Sequence, residues 1–488
     1  MIIRVEANHK YVDEIQSVAQ VFFPHARFGG DTEPGLAVDS YIMDGAVYAG
    51  LKGETIRESL SLTGWPVYMN EKRLAMLAMY RLLQRVVGAY TPWGALTGVR
   101  PTKMVREWLV SGQADNKVIQ DLQSIFAVHE DRAKLAVLVA NAENRLAEII
   151  TKTRTDPHAL YISIPFCPTR CVYCSFNTSQ AAWGTAAQTR YIQAVISEYR
   201  VLAKSLQKSG NSISSVYIGG GTPTALADHL LESLLSAIQE FTSHTEYTIE
   251  AGRPDTITRS NLRLMRKYGV NRISINPQTV NDRTLCAIGR NHTTQDFLRA
   301  YAMAQDEGFE TINTDIIAGL PGESPDDMHR TMDTLAELKP ENITVHTLAV
   351  KRASKLNEQR TEKVGEAKTN HANAKEHKNH LPVSPIPEAV TIEAQLKIAH
   401  DGCTVMGLSP YYLYRQKNMA ALFENTGYSL PGHECLYNVG MMSEVQTVHG
   451  VGAGAVSKYV EGSRITRKFN TKNPDIYIER IFINAEIN

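Results

Sequence analysis

Tyr161-Ile162-Ser163-Ile164-Pro165-Phe166-Cys167-Pro168-Thr169-Arg170-Cys171-Val172-Tyr173-Cys174-Ser175-Phe176 reads as a short apolar strand running straight into three cysteines spaced C-x3-C-x2-C. Thiolates are the soft ligands that zinc and iron–sulfur clusters prefer, and a site that fills every metal valence usually takes four of them. Three are offered. A 4Fe-4S cluster held this way keeps one iron without a protein ligand, open to chelation by an amino acid's amine and carboxylate. A closed zinc site would need a fourth ligand, for which His158, across the strand from Cys167, is the nearest candidate. Three thiols brought close by chance are the remaining reading.

With Tyr173 just before the third cysteine, the loop resembles that of the radical S-adenosylmethionine (SAM) superfamily. The resemblance implies a 4Fe-4S cluster on Cys167, Cys171 and Cys174, with SAM at the open iron. The other three cysteines, Cys286, Cys403 and Cys435, are dispersed, so a single cluster is expected, with those three buried as small apolar side chains. Six cysteines in 488 residues do not make a disulfide scaffold.

The chain is 43% hydrophobic and 21% charged, an ordinary globular composition with room for two or three domains. Zero formal net charge gives no general footprint for nucleic acid or an anionic membrane, although it leaves a local patch open. The opening ten residues lack the apolar core of a signal peptide, and no later stretch offers about 18 uninterrupted apolar residues. A cytoplasmic location is expected.

Downstream of the cysteines, apolar strands at Tyr161–Pro165, Ser215–Ile218, Tyr247–Ala251, Arg272–Asn276, Ile312–Ile317 and Ile343–Leu348 alternate with helical patterns at Thr189–Gln207, Asp228–Phe241, Arg259–Tyr268, Gln295–Glu307 and Pro325–Leu338. Such βα repeats imply a parallel sheet, either open and doubly wound or a barrel, with ligands at the carboxyl ends of its strands. The candidate residues fall at those ends. Gly219-Gly220-Gly221-Thr222-Pro223 follows the second strand; it lacks the G-x-G-x-x-G and G-K-[ST] phosphate patterns, and alone it is equally a plain turn. One unit after a three-cysteine loop, its backbone carbonyls are placed to receive an ammonium group. Glu250, Gln278, Arg290 and Asp315 follow on or after successive strands. A salt bridge explains any one of them, whereas four in a row suggest a site, because a polar group in an apolar strand is costly unless paired or aimed at a ligand. Arg290 is suited to a carboxylate, Glu250 to an amine, and Gln278 and Asp315 to ribose hydroxyls.

Together with Tyr161, these motifs resemble the HemN/HemW branch of the superfamily over residues 155–350. The resemblance implies a partial (β/α)6 TIM-type barrel in which Tyr161, Gly219, Gly220, Gly221, Thr222, Glu250, Gln278, Arg290 and Asp315 surround SAM. Three further segments, Thr91–Lys103, Glu250–Asp255 and Pro431–Asn438, are similar to those of the coproporphyrinogen dehydrogenases of this branch. By that likeness a 5′-deoxyadenosyl radical takes hydrogen from a propionate β-carbon of coproporphyrinogen III, and loss of CO2 and one electron leaves a vinyl group. Two such events give protoporphyrinogen IX, with reduced flavodoxin or ferredoxin as electron donor. Two positions depart from the decarboxylating pattern: Phe176 stands where a further cysteine is usual, and Ser163 where histidine is usual. Phe176 resembles the haem-chaperone side of the branch, so a haem carrier stays open, as does a methyltransferase or other tailoring enzyme acting on a porphyrin-like substrate.

The rest of the chain divides around this core. Residues 1–150 read as an α/β and helical domain, with strands at Ile2–Val5, Leu36–Val38 and Ala46–Leu51 and helices at Val12–Phe23, Lys72–Val87 and Asp131–Ile150. In the Thr91–Lys103 loop, Arg100 and Lys103 are candidates for an anionic substrate, with interdomain packing the plainer reading. Residues 351–386 read as a polar mobile loop whose His371, His377 and His380 lack a thiol or clustered carboxylate to complete a metal site. A C-terminal cap over 387–488 opens with helical spacing at Pro387–Ala399. In the cap, Tyr411–Asn418 suits either a flat macrocycle with propionates or an edge strand, and Val451–Ala455 resembles a glycine turn beside SAM or is an ordinary tight turn. Arg253, Lys351, Arg352, Arg415 and Lys417 are the cations available to propionates. For an axial haem ligand His346, His433 and His449 are present, without a C-x-x-C-H motif.

Overall fold

The computed structural model describes residues 1–23, 26–29, 35–59, 67–88, 91–153, 157–174, 184–240, 246–349, 354, 386–416, 423–462 and 464–487. Phe176, Lys351, Arg352, Lys417, His371, His377 and His380 lie outside them, as does nearly all of the expected loop over 351–386. The chain divides into two compact units, Met1–Asn141 with Leu413–Glu424, and Ala142–Tyr412 with Asn425–Asn488.

In the first unit a five-stranded sheet has the order β2-β1-β3-β4-β5, built from β1 (Ile2–Ala7), β2 (Arg27–Phe28), β3 (Leu36–Met43), β4 (Ala46–Leu51) and β5 (Glu54–Glu58). Both β3–β4 and β4–β5 are hairpins with two-residue turns, Asp44-Gly45 and Lys52-Gly53, whose four residues all have positive φ, the geometry that matches strand twist. Helix Val12–Phe22 buries Ile15, Val18 and Ala19, the i, i+3, i+4 stripe of an amphipathic helix, and they join Leu74, Leu77 and Val47 in one core. Helices Thr102–Val110, Asp115–Phe126 and Glu130–Thr153 build a second core around Trp93.

The Thr91–Lys103 loop is clamped in that core by residues from late in the chain. Trp93 Nε1 donates to Glu424 (2.7 Å), Arg132 pairs with Glu424 (2.9 Å), and the Arg415 guanidinium lies 5.6 Å from the Trp93 ring while donating to the Leu96 carbonyl. Arg415 is therefore a buried packing residue and not an open cation for a propionate. The same is true of its neighbours: Tyr411 and Tyr412 are buried on an edge strand, which is the outcome that a run of aromatic residues without clear amphipathy left undecided.

The second unit carries an eleven-stranded sheet. Its centre is β6 (His158–Ile164), β7 (Ile213–Gly220), β8 (Glu246–Glu250), β9 (Arg272–Ser274), β10 (Thr311–Ala318) and β11 (Asn342–Thr347), parallel and side by side in sequence order. Right-handed crossovers that always step the same way put every connecting helix on one face and curl the sheet, whereas a doubly wound sheet reverses its order midway. The order thus selects the partial barrel. The C-terminal residues widen the sheet at both edges: β14 (Thr447–Val451) lies parallel to β6, followed outward by β15 (Val456–Glu461) and β16 (Arg464–Phe469), and β13 (Asn425–Ser429) lies antiparallel to β11, with β12 (Ser409–Tyr414) beyond it. The strands are buried on both faces, which is why they read as continuous apolar runs.

The Pro431–Asn438 segment sits at the amino ends of the strands, opposite the cysteines. There Glu246 accepts from the Leu436 and Tyr437 amides (2.7 and 2.9 Å), Arg272 donates to the His433 carbonyl (2.6 Å), and His433 Nδ1 meets Thr311 Oγ1 (2.8 Å). His158 is at that end too, 2.8 Å from His449 Nε2 through Nδ1. A strand length separates it from Cys167, so it is not a fourth ligand to the cysteine loop. Among the described residues, no helix is long and apolar enough to cross a membrane.

Candidate functional site

The cysteine loop leaves β6 and is held from two sides. Gly221 N donates to the Ile164 carbonyl and Thr222 N to that of Phe166, both at 2.7 Å; opposite, Val172 N donates to Ile288 O (3.0 Å) and Thr169 Oγ1 to Gly289 O (3.0 Å). Cys174 N closes a turn onto Cys171 O at 3.1 Å, and Cys167 Sγ lies 3.3 Å from Thr222 Oγ1. Burial pushes the Cys167 thiol up to about 11, and the nearby sulfurs of Cys174 and Cys171 add to the rise. Ionising the three thiols as ligands calls for compensating positive charge, which cationic iron would supply. Among the described residues no three His, Cys, Asp or Glu side chains are gathered around a position for one metal ion. A tetrahedral zinc would need sulfurs about 3.8 Å apart, from a Zn–S bond of about 2.3 Å. Three cysteines on one loop, each free to take a different iron, fit a cubane cluster with one iron left open.

The glycine loop is shaped by what it touches. A Cβ on Gly219 would lie 2.6 Å from a Glu250 carboxylate oxygen, and one on Gly221 would lie 2.5 Å from the Phe166 carbonyl. Gly220 has φ +102 and packs against the Tyr161 hydroxyl. Only glycine permits these approaches. Glu250 ends β8 and accepts from the Tyr217 hydroxyl and from Gly220 N (3.2 Å). Burial raises its pKa and Asp315 adds to the rise; among the described residues no Lys or Arg pairs with it. A half-buried carboxylate with hydrogen-bond donors but no such cation is suited to receive one from a ligand.

Asp315 on β10 accepts from Asn276 Nδ2 (2.9 Å) and Asn313 Nδ2 (2.8 Å), with His346 Nε2 at 3.5 Å. Burial would raise its pKa, but the bonds from His346, Asn313 and Thr344 outweigh it and hold the carboxyl below its usual range. Gln278 lies four residues past the end of β9, not on it. It is tied to β10 by backbone bonds with Asp315 O and Ile317 N (both 3.0 Å) and is held at φ +68, a left-handed conformation costing roughly 1–3 kcal/mol. Arg290 is buried; Nη1 donates to Gly252 O (2.7 Å) and Nη2 to the Tyr173 hydroxyl (3.4 Å), which ties it to the cysteine loop.

Arg253 is not on an open rim. It is buried, bonded to Asp255 and Thr169. Cys403 and Cys435 are buried as expected, but Cys286 is exposed, on the solvent side of helix Asp282–Ala287. In the turn after β14 a Gly452 Cβ would lie 2.6 Å from Ser163 O, so the turn packs on the cysteine-bearing strand; Glu198 anchors it through Gly452 N (2.9 Å) and Asn470 Nδ2 (3.0 Å).

Tyr217, Tyr437 and Asn313 escaped the sequence reading. Tyr217 and Tyr437 stack with Tyr161 in the barrel interior, with centroids 6.3 Å apart from Tyr161 to each of the others and 4.6 Å between Tyr217 and Tyr437. The period of two along a strand would have found Tyr217 from Gly219, and Asn313 from Asp315, as same-face neighbours.

A parallel barrel with a three-cysteine loop at the carboxyl end of its first strand, facing a glycine loop and a half-buried carboxylate that no Lys or Arg among the described residues pairs with, defines the class. The profile of the Radical SAM superfamily matches residues 161–335, and the chain belongs to that superfamily, using a 4Fe-4S cluster and SAM. It is 33% identical to the oxygen-independent coproporphyrinogen-III oxidase-like protein HemZ of Bacillus subtilis, over 98% of this chain and 95% of that protein. It is 26% identical to the haem chaperone HemW of Escherichia coli over 68% of this chain and 79% of that one. The solved coproporphyrinogen III oxidase HemN of Escherichia coli, a radical SAM enzyme, shares the fold with a TM-score of 0.52 at 21% identity, over 70% of this chain and 71% of that chain.

Proposed function

We propose that the protein is an oxygen-independent coproporphyrinogen dehydrogenase, converting propionate groups of coproporphyrinogen III or a closely related tetrapyrrole to vinyl groups. The observation that carries this reading is the likeness to the coproporphyrinogen-III oxidase-like relative over 98% of the chain. It takes in the N-terminal unit and the Pro431–Asn438 segment, whereas the likeness to HemW of Escherichia coli extends over 68%.

When bound, the cluster and SAM supply a 5′-deoxyadenosyl radical able to take hydrogen from carbon. Cys167, Cys171 and Cys174 would each hold one iron. Glu250 and the glycine-loop carbonyls would receive the SAM ammonium group; a cation there lowers the raised pKa of Glu250, so binding draws the carboxylate toward its ionised form. Arg290 would meet the SAM carboxylate, while Asp315, kept ionised by its donors, and Gln278 would accept from ribose hydroxyls. Tyr161, with Tyr217 and Tyr437 behind it, fills the barrel below the site and keeps water from that side. Reduced flavodoxin or ferredoxin is the proposed electron donor.

A haem carrier is the second reading, favoured by the HemW relatives and by the engagement of Arg253 and Arg415 elsewhere. Against it, His433 and His449 are bonded to Thr311 and His158 at the amino ends of the strands, and His346 lies beside Asp315. Anaerobic turnover decides between them. Reduced protein with SAM and coproporphyrinogen III is expected to yield 5′-deoxyadenosine, CO2 and a vinyl product by mass analysis. Stoichiometric haem binding with SAM cleavage but no decarboxylation would establish the carrier instead.

A further inference from the structure

We infer that Arg253 is a positioning residue for the cluster, stapling the cysteine loop to the loop after β8 and placing positive charge beside the Cys171 sulfur. The inference rests on the cluster and not on which tetrapyrrole is the substrate. Arg253 stands three residues past the end of β8 and is 3% exposed. One edge of its guanidinium is fixed by Asp255 in a fork, Nε to Oδ1 at 3.1 Å and Nη2 to Oδ2 at 3.2 Å. The other edge reaches the cysteine loop: Nη1 to Thr169 O at 3.2 Å, Nη2 to Thr169 Oγ1 at 3.0 Å, and Nη1 to Cys171 Sγ at 3.8 Å, within hydrogen-bond reach for sulfur. Thr169 Oγ1 passes the connection on to Gly289 O at 3.0 Å.

Those contacts engage all three guanidinium nitrogens, so the group is committed to the loop and to Asp255 and does not face a ligand. A buried Arg–Asp pair by itself is poor value for stability, because desolvating two charges offsets their attraction. A thiolate on the free edge changes that balance. With Cys171 as an iron ligand, the N–H donor and the cation draw negative charge from the sulfur, and outer-shell donors of this kind raise the reduction potential and fix ligand orientation. Lysine retains the charge but cannot span Asp255 and Thr169 in one plane. The staple also neighbours Arg290, which donates to the carbonyl of Gly252, the residue just before Arg253.

The test uses the full chain, anaerobically reconstituted and without SAM, with the cluster midpoint read by EPR-monitored titration and iron loss followed with a chelator. For R253M the reduced-to-oxidised ratio at fixed potential should fall about tenfold, a midpoint about 59 mV more negative for a one-electron couple, and iron should leave several-fold faster. R253K should recover part of the midpoint while still losing iron faster than the unmodified chain. An R253M midpoint equal to that of the unmodified chain overturns the inference even if the melting temperature of the cluster-free protein falls, because a merely structural pair would move only the latter. If R253M does not fold, R253K decides: faster iron loss supports the staple, and an unchanged rate overturns it.

Discussion

Replacing Glu250 with glutamine should move stability and SAM affinity independently. In the unliganded site the carboxylate accepts from Tyr217 and Gly220, its pKa is raised by burial and then by Asp315, and no Lys or Arg among the described residues pairs with it. Glutamine has the same shape: its oxygen can take the Gly220 N–H and its NH2 can donate to the Tyr217 oxygen. A carboxyl whose folded pKa is raised contributes stability below its ordinary value and loses it as pH rises through the folded value. E250Q should therefore melt at or above the unmodified protein, with the gain appearing as pH rises above the ordinary carboxylate range. SAM binding should weaken, because a charge-assisted hydrogen bond contributes roughly 1.5–3 kcal/mol, or about 10- to 150-fold in Kd. Scanning fluorimetry of the cluster-free protein and anaerobic calorimetry of the reconstituted protein read the two effects. D315N supplies the opposite sign: its carboxyl is held below the usual range by His346, Asn313 and Thr344 against the effect of burial, so this change should lower the melting temperature. An E250Q protein with unchanged SAM affinity would refute the ammonium contact, and a strongly destabilised one would refute the view of Glu250 as an uncompensated charge.

Gly221→Ala places a Cβ 2.5 Å from the Phe166 carbonyl and 2.6 Å from that of Ile164 and so disturbs the two backbone bonds that carry the cysteine loop. Losing them costs roughly 1–3 kcal/mol each, and iron retained after reconstitution should drop well below that of a Gly98→Ala control, which meets nothing within 4 Å; equal iron content would show that the loop is held otherwise. Glu323, buried and accepting from Thr279, has its pKa pushed from the usual 4.5 up to about 7 by burial. At about 1.4 kcal/mol per pH unit its ionisation removes up to roughly 3 kcal/mol of stability as pH rises from 4.5 through 7. E323Q should flatten the melting profile between pH 5 and 8, and parallel profiles for the two proteins would rule this out.

The cysteine loop and the six βα repeats were legible because the forces behind them are local. Three thiols within eight residues show their spacing in the chain itself, and an amphipathic helix such as Pro325–Leu338 or a doubly buried strand such as Thr311–Ala318 leaves its period in the chain. The two glycine hairpins of the first unit were equally local, and β5 was missed although Lys52-Gly53 announces it. Tertiary structure alone settled whatever depends on partners distant in sequence. Strand order separates a barrel from a doubly wound sheet, yet no single strand carries it. β13 and β14 join opposite edges of one sheet although only 17 residues lie between them. Arg253 and Arg415 looked alike as spare cations, but one bonds to Thr169, 84 positions away, and the other to Leu96, 319 away. A charge takes its role from the groups that replace its water on burial, and that exchange is written in three dimensions, not in the period of the chain.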